Sequence, residues 1–120
     1  MKVAIIGSRG ITNVDMKKYI PPNTTEMISG GARGVDSIAK QYAQENNIKL
    51  VEYLPEYKLY GRGAPLKRNI KIIERADLVI AFWDGTSRGT KFVIEKCRKM
   101  NIPIKIFKNL LTNKFYCCKI

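Results

Sequence analysis

Five short apolar runs, rich in β-branched residues, punctuate the chain: Lys2–Gly7 ("KVAIIG"), Met27–Ser29, Leu50–Leu54, Leu78–Trp83 and Ile102–Phe107. Runs of this length without polar alternation read as strands buried on both faces. Between them the period changes. Apolar residues fall at 35, 38, 39, 42 and 43, which lays one stripe along an amphipathic helix. Leu66, Ile70 and Ile73 predict a second core-facing stripe, with Lys67, Lys71 and Arg75 on its solvated side, and Val93, Cys97 and Met100 predict a third. Asn13–Ile20 reads as a short helix stopped by Pro21-Pro22, since proline cannot continue a helical ladder. The connection Pro55–Ala64 is long enough to be a functional loop.

Strands alternating with helices predict an α/β domain with a parallel sheet covered on both faces. In such a sheet every loop leaving a strand's carboxyl end emerges on the same edge. Four Arg-Gly pairs stand in these loops: Arg9-Gly10, Arg33-Gly34, Arg62-Gly63 and Arg88-Gly89. Glycine lets backbone N–H groups approach a ligand, and the helix that follows points unpaired donors toward it. Arginine adds a planar fork matched to phosphate or carboxylate. The pattern predicts an anion site on one rim, built from Gly7, Ser8 and Arg9, from Gly30, Gly31, Ala32, Arg33 and Gly34, and from Asp84, Ser87, Arg88, Gly89 and Thr90. Asp36, in the first turn of its helix, either complements the helix dipole or takes a ribose hydroxyl or Arg33. Arg68 and Asn69, near a helix start, could reach the same rim, and Tyr60 or Trp83 could stack on a base.

Composition sharpens this picture. The net charge is +12, and residues 61–120 hold 14 of the 22 Lys and Arg against 4 of the 10 Asp and Glu, so an anionic partner is expected, nucleic acid or phosphorylated small molecule. Lysines on a solvated surface account for part of that charge without any ligand. With no histidine in the chain, imidazole bases and ligands are excluded. Cys97, Cys117 and Cys118 form no disulfide framework and read as reduced thiols of a cytoplasmic protein. No apolar stretch approaches a membrane span, and "KVAIIG" is too short for a signal-peptide core. Neither the dinucleotide fingerprint G-x-G-x-x-G nor the P-loop pattern occurs, and neither a metal nor a cofactor is expected.

The segments "GSRG", "SGGARGVDSIA", "YGRGAPLKRN", "ADLVIAFWDG" and "SRGT", in this order, resemble the SLOG superfamily and most closely its small DUF2493 (YspA-type) branch. The resemblance covers about residues 2–107. It also extends to the DNA-processing protein A of transformation and to the lonely-guy phosphoribohydrolases. It implies a single Rossmann-like three-layer domain over residues 1–108, with five parallel strands in the order 3-2-1-4-5. Residues 109–120 form a C-terminal extension in which "KFYCCKI" could add an edge strand. It also implies a pocket for a nucleotide-derived ligand. Carried over, phosphate contact falls to Gly30, Gly31, Arg33, Gly34, Ser87, Arg88, Gly89 and Thr90, bordered by Ser8 and Arg9, while Arg68-Asn69 match the family's Arg-Asn pair. The phosphoribohydrolase motif P-G-G-x-G-T-x-x-E is broken here: "SRGTKFVIE" puts Val93 at the acid's position. Glu95 lies about 200° further around the helix. Asp36 and Asp84 are then the candidate acids if the protein cleaves an N-glycosidic bond.

Three functions stay open on the sequence. The preferred one is binding of a phosphorylated nucleotide-derived small molecule by a sensor, carrier or sequestering protein. The others are a nucleoside 5′-monophosphate N-glycosidase and a single-stranded DNA binder. Against the last, aromatics are not interleaved with the basic clusters. Homo-oligomers are left open, and no membrane partner is expected.

Overall fold

The N-terminal apolar run is buried from both sides: Val3 and Ile5 join one core cluster, Ala4 and Ile6 another. Successive strand side chains point to opposite faces, so this division places the strand in a middle layer. A computed structural model of the chain describes residues 1–109 and 115–117. Its strands are β1 (Lys2–Gly7), β2 (Glu26–Ser29), β3 (Lys49–Glu52), β4 (Leu78–Trp83), β5 (Ile104–Asn109) and β6 (Phe115–Cys117), in one sheet of order β3-β2-β1-β4-β5-β6. The first five are parallel, as expected, and β6 adds an antiparallel edge beside β5. The expected edge strand "KFYCCKI" is thus present over Phe115–Cys117, while residues 110–114 and 118–120 lie outside the described residues. Among the described residues, no helix is long and apolar enough to cross a membrane.

Helix α1 (Val35–Glu45) covers one face of the sheet through Val35, Ala39 and Ala43. Two further helices cover the other: α3 (Ala64–Arg75), through Ile72 and Ile73, and α4 (Arg88–Lys99), through Val93, Ile94 and Cys97. Burial drives the Cys97 thiol pKa up to about 11, so this thiol is core filling rather than a nucleophile. The order reverses between β1 and β4, and that switch point opens the crevice where ligands bind in such sheets.

Several local expectations need correction. Asn13–Ile20 is not a helix but a strap with one 3₁₀ turn at Met16–Lys18. Val14, Met16 and Ile20 of this strap and the neighbouring Ile11 are buried, and Tyr19 docks edge-on against Phe82 and Phe107. Pro55–Ala64 is not a bare loop. It holds a single helical turn, α2 (Tyr57–Tyr60), followed by a 3₁₀ turn at Gly61–Gly63. Strand β5 begins at Ile104 rather than Ile102. The Ile102 N–H closes the end of α4 on the Cys97 carbonyl, and Pro103 has no N–H to offer the ladder. Met100 caps α4 at its C-terminus and is exposed, and Leu66 is 41% exposed rather than core.

Arg75 is likewise no solvated residue. It donates from Nε and Nη2 to Glu26 at 2.7 and 3.1 Å. Glu26 is only 5% exposed and also faces Lys49 at 3.5 Å, its register partner on β3. The Arg75 hydrogen bonds hold the Glu26 carboxyl below its ordinary 4.5 against the opposing effect of burial. A folded-state pKa below the unfolded one gives stability that is complete above that ordinary value and lost as pH falls through the lowered one. Glu26→Gln should therefore destabilise the protein clearly at pH 7 and much less at pH 3. Urea unfolding of both proteins at the two pH values checks this, and equal losses at both would refute the assignment.

Candidate functional site

Three strand-to-helix loops meet where the strand order reverses. The first, Gly7–Gly10, leaves β1. Its Ser8 is buried and reaches β4 and the loop after it, the N–H donating to the Phe82 carbonyl at 3.1 Å and Oγ accepting from the Asp84 N–H at 3.3 Å. The second, Gly30–Gly34, joins β2 to α1. Gly34 holds φ +76°, and a Cβ there would stand 2.8 Å from the carbonyl oxygens of Arg9 and Ile11, so only glycine lets the two loops touch backbone to backbone. The third, Asp84–Ser87, leads from β4 into α4. Asp84 Oδ1 accepts from the Thr86 N–H at 2.9 Å, the Thr86 hydroxyl at 3.2 Å and the Ser87 N–H at 2.7 Å. This is a side-chain-built turn, and Trp83 Nε1 closes it from outside on the Ser87 carbonyl at 3.1 Å.

Together these loops and the start of α3 enclose a cavity of about 420 Å³. Eleven of the expected residues line it: Gly7, Arg9, Gly30, Ala32, Asp36, Arg68, Asn69, Asp84, Ser87, Gly89 and Thr90. The other five, Ser8, Gly31, Arg33, Gly34 and Arg88, stay outside the lining, Ser8 and Gly34 as loop fasteners and Arg33 and Arg88 as exposed side chains. Arg62 is exposed too, so of the four Arg-Gly arginines only Arg9 lines the cavity. The sequence reading missed Ile6, Gly10, Pro65, Leu66 and Ile72. Gly10 carried a signal as the partner of Arg9, whereas the apolar four looked like ordinary core.

The polar groups of the lining divide into those that hold the loops and those left over. Arg68, 9% exposed, donates from Nη1 to the Gly30 carbonyl at 2.7 Å and the Tyr53 carbonyl at 3.3 Å. It is a buried clamp between α3 and the ends of β2 and β3 rather than a free fork. Burial lowers its pKa, the charge of Asp36 opposes this, and Arg9 adds to the lowering. The two guanidinium groups thus repel each other across the cavity. Asp36 Oδ2 accepts from the Ala32 N–H at 3.0 Å. Burial pushes its carboxyl up, against the Ala32 hydrogen bond and the Arg68 charge. Burial also works to raise Asp84, but the donors of Ser87, Thr86 and Ser8 prevail and hold it below its ordinary value. Both carboxylates are committed to loop structure. Left over are Arg9, the Asn69 amide and the N-terminus of α4, where Ser87 makes no side-chain cap and first-turn N–H groups lack helical partners. Among the described residues no group of acids or cysteines gathers to hold a metal ion.

This arrangement defines a Rossmann-like α/β domain with a ligand-sized cavity at its switch point. Residues 1–60, half the chain, match the model of the YspA, cpYpsA-related SLOG family, called YAcAr, and the chain belongs to that family. The match covers the loops carrying Arg9 and Ala32, while α3 and the Asp84–Ser87 turn lie beyond it. The chain is also similar to the Gene 61 protein of Mycobacterium phage D29, 33% identical over 84 residues, which is 65% of this chain and 67% of that protein. No solved structure matches the chain. Family membership is consistent with binding or processing of nucleotide-related molecules.

The clamp makes a specific demand at residue 30, where a Cβ would collide with the Arg68 guanidinium. Gly30→Ala should lower the melting temperature by several degrees. Arg68→Ala should too, because a hydrogen bond from a charged donor is worth about 1.5–3 kcal/mol. In the Arg68→Ala background the added methyl at 30 has room, so the double variant should be about as stable as Arg68→Ala alone. A double-mutant cycle by thermal melting checks this, and additive losses would refute the clamp.

Proposed function

We propose that the protein binds a phosphorylated, nucleotide-derived small molecule in this cavity, as a sensor, carrier or sequestering protein. One observation carries the reading: Arg9 and the uncapped start of α4 face a cavity whose other charged side chains are already engaged by the fold. Anionic oxygens supply what a free guanidinium and helix-terminal N–H groups lack. The volume of about 420 Å³ falls within the range of small-molecule sites, about 300–1,000 Å³. Because the loops are held by Ser8, Asp36, Arg68 and Asp84, little ordering remains for the ligand to impose. Those same bonds tie one oxygen each of Asp36 and Asp84, the two acids available for N-glycosidic cleavage, to their own loops, and this favours binding over hydrolysis.

The test is calorimetric titration with nucleoside 5′-monophosphates and with the matching nucleosides. The phosphorylated compounds should bind and the nucleosides should bind far more weakly. Arg9→Ala should weaken nucleotide binding about tenfold to a hundredfold, the equivalent of one charged hydrogen bond. Arg33→Ala and Arg88→Ala, outside the lining, should change it much less. Equal binding of nucleotide and nucleoside, or indifference to Arg9→Ala, would overturn the reading.

A further inference from the structure

The loops after β1, β2 and β4 give the cavity a polar side, while its apolar lining, Pro65, Leu66 and Ile72 of α3 with Ile6 of β1, lies beside Arg68 and Asn69 of the same helix. Leu66 is 41% exposed although it sits in a helix with a well-buried face. It is not isolated. Of the large hydrophobic side chains exposed among the described residues, Leu54, Tyr57, Leu59, Tyr60 and Leu66 fall within residues 54–66, and Met100 is the exception. An exposed apolar cluster of this kind marks a binding surface rather than scattered surface hydrophobes. Two of these residues, Tyr57 and Tyr60, offer aromatic rings on α2, which packs against α3. Tyr60 has Lys67 Nζ 5.9 Å from its ring centre, and both tyrosines stand beside the cavity rather than in its lining.

We infer that residues 54–66 form the base-recognition element of the site: the ligand's phosphate lies against Arg9 and the start of α4, and its planar base lies against Leu66 and the tyrosines of α2. This rests on the phosphate reading proposed above and adds the chemistry of the rest of the ligand. The occupant follows from continuity, since Leu66 belongs both to the exposed group and to the lining that contains Arg9, Gly89 and Thr90, with half-buried Pro65 beside it in that lining. A molecule anchored there by phosphate must extend along an apolar wall, and inorganic phosphate alone would leave most of the cavity empty. Aromatic and apolar surfaces accept a base through its π face with little regard to its identity. The element therefore confers preference for nucleotides over sugar phosphates rather than strict choice among bases.

The experiment titrates wild type, Leu66→Ser and the double variant Tyr57→Ala/Tyr60→Ala with the four common nucleoside 5′-monophosphates, ribose 5-phosphate and inorganic phosphate. Circular dichroism is run alongside; all three positions are exposed, so the variants should fold. On the wild type the best nucleotide should bind at least about tenfold more tightly than ribose 5-phosphate, the scale of one base stacked on an apolar platform. In the variants that advantage should shrink severalfold, while ribose 5-phosphate binds as before. If nucleotides and ribose 5-phosphate bind the wild type equally, the base element is overturned and the phosphate site stands. An advantage unchanged in both variants overturns it as well, as does a change only in oligomeric state, which would make the cluster a protein interface. If no phosphorylated compound binds, the phosphate reading falls and this inference with it.

Discussion

Two arginines on one face of α3 hold β2 at both of its ends. Arg75 grips Glu26 at the strand's start and Arg68 grips the Gly30 carbonyl just past its finish. They are seven residues apart, two helical turns or about 10 Å of helix, and the strand segment they span is about 13 Å long. The flexible arginine stems absorb the difference. The helix therefore cannot slide along the sheet without breaking one end, and whatever α3 presents to the cavity is fixed relative to the loop after β2. Burying a guanidinium under a loop is unfavourable unless its donors are used. Arg68 uses Nη1 on two carbonyls, which ties the ends of β2 and β3 to the same atom, while its Nε is buried without a partner.

The rest of the site is built on that frame by short-range bonds. Ser8 ties the loop after β1 to the loop after β4, Gly34 lets the loops after β1 and β2 meet at their backbones, and Asp84 winds its own turn. None of these contacts needs a ligand to form. They leave Arg9, Gly89 and Thr90 in the lining of the cavity. Chemistry and architecture thus divide between residues: the acids and Arg68 hold the loops, and Arg9 with the backbone of α4 faces the cavity.

Much of this was legible in the sequence because strands and loops announce themselves locally. Undisturbed β-branched runs gave β1 and β4 their limits, and Arg-Gly pairs marked loops at one sheet edge. The phase of α3 was not legible. A stripe of Leu66, Ile70 and Ile73 assumes that apolar residues turn inward and charged ones outward, but here Arg68 is buried and Leu66 is exposed. Two carbonyls and a glutamate, 15, 38 and 49 residues away in the chain, reverse the rule for Arg68 and Arg75, and no local pattern encodes partners that distant. Loop position told which edge Arg33 and Arg88 occupy, while which exposed arginine on that edge lines the cavity, here Arg9, carries no mark in the sequence.

The position of Val93 bears on the choice between binding and hydrolysis. The phosphoribohydrolase motif has a glutamate there, but in this chain Val93 is fully buried in the cluster between α4 and the sheet. Glu95 is on the outer side of α4, exposed and 4.0 Å from Lys91. Neither lines the cavity. Restoring the acid at 93 would bury an unpaired carboxylate among Ile72, Ile94 and Cys97, where the charged form is strongly disfavoured. The position that would carry the catalytic acid instead packs α4 against the sheet, and Glu95, the one acid of α4, is exposed and outside the cavity lining.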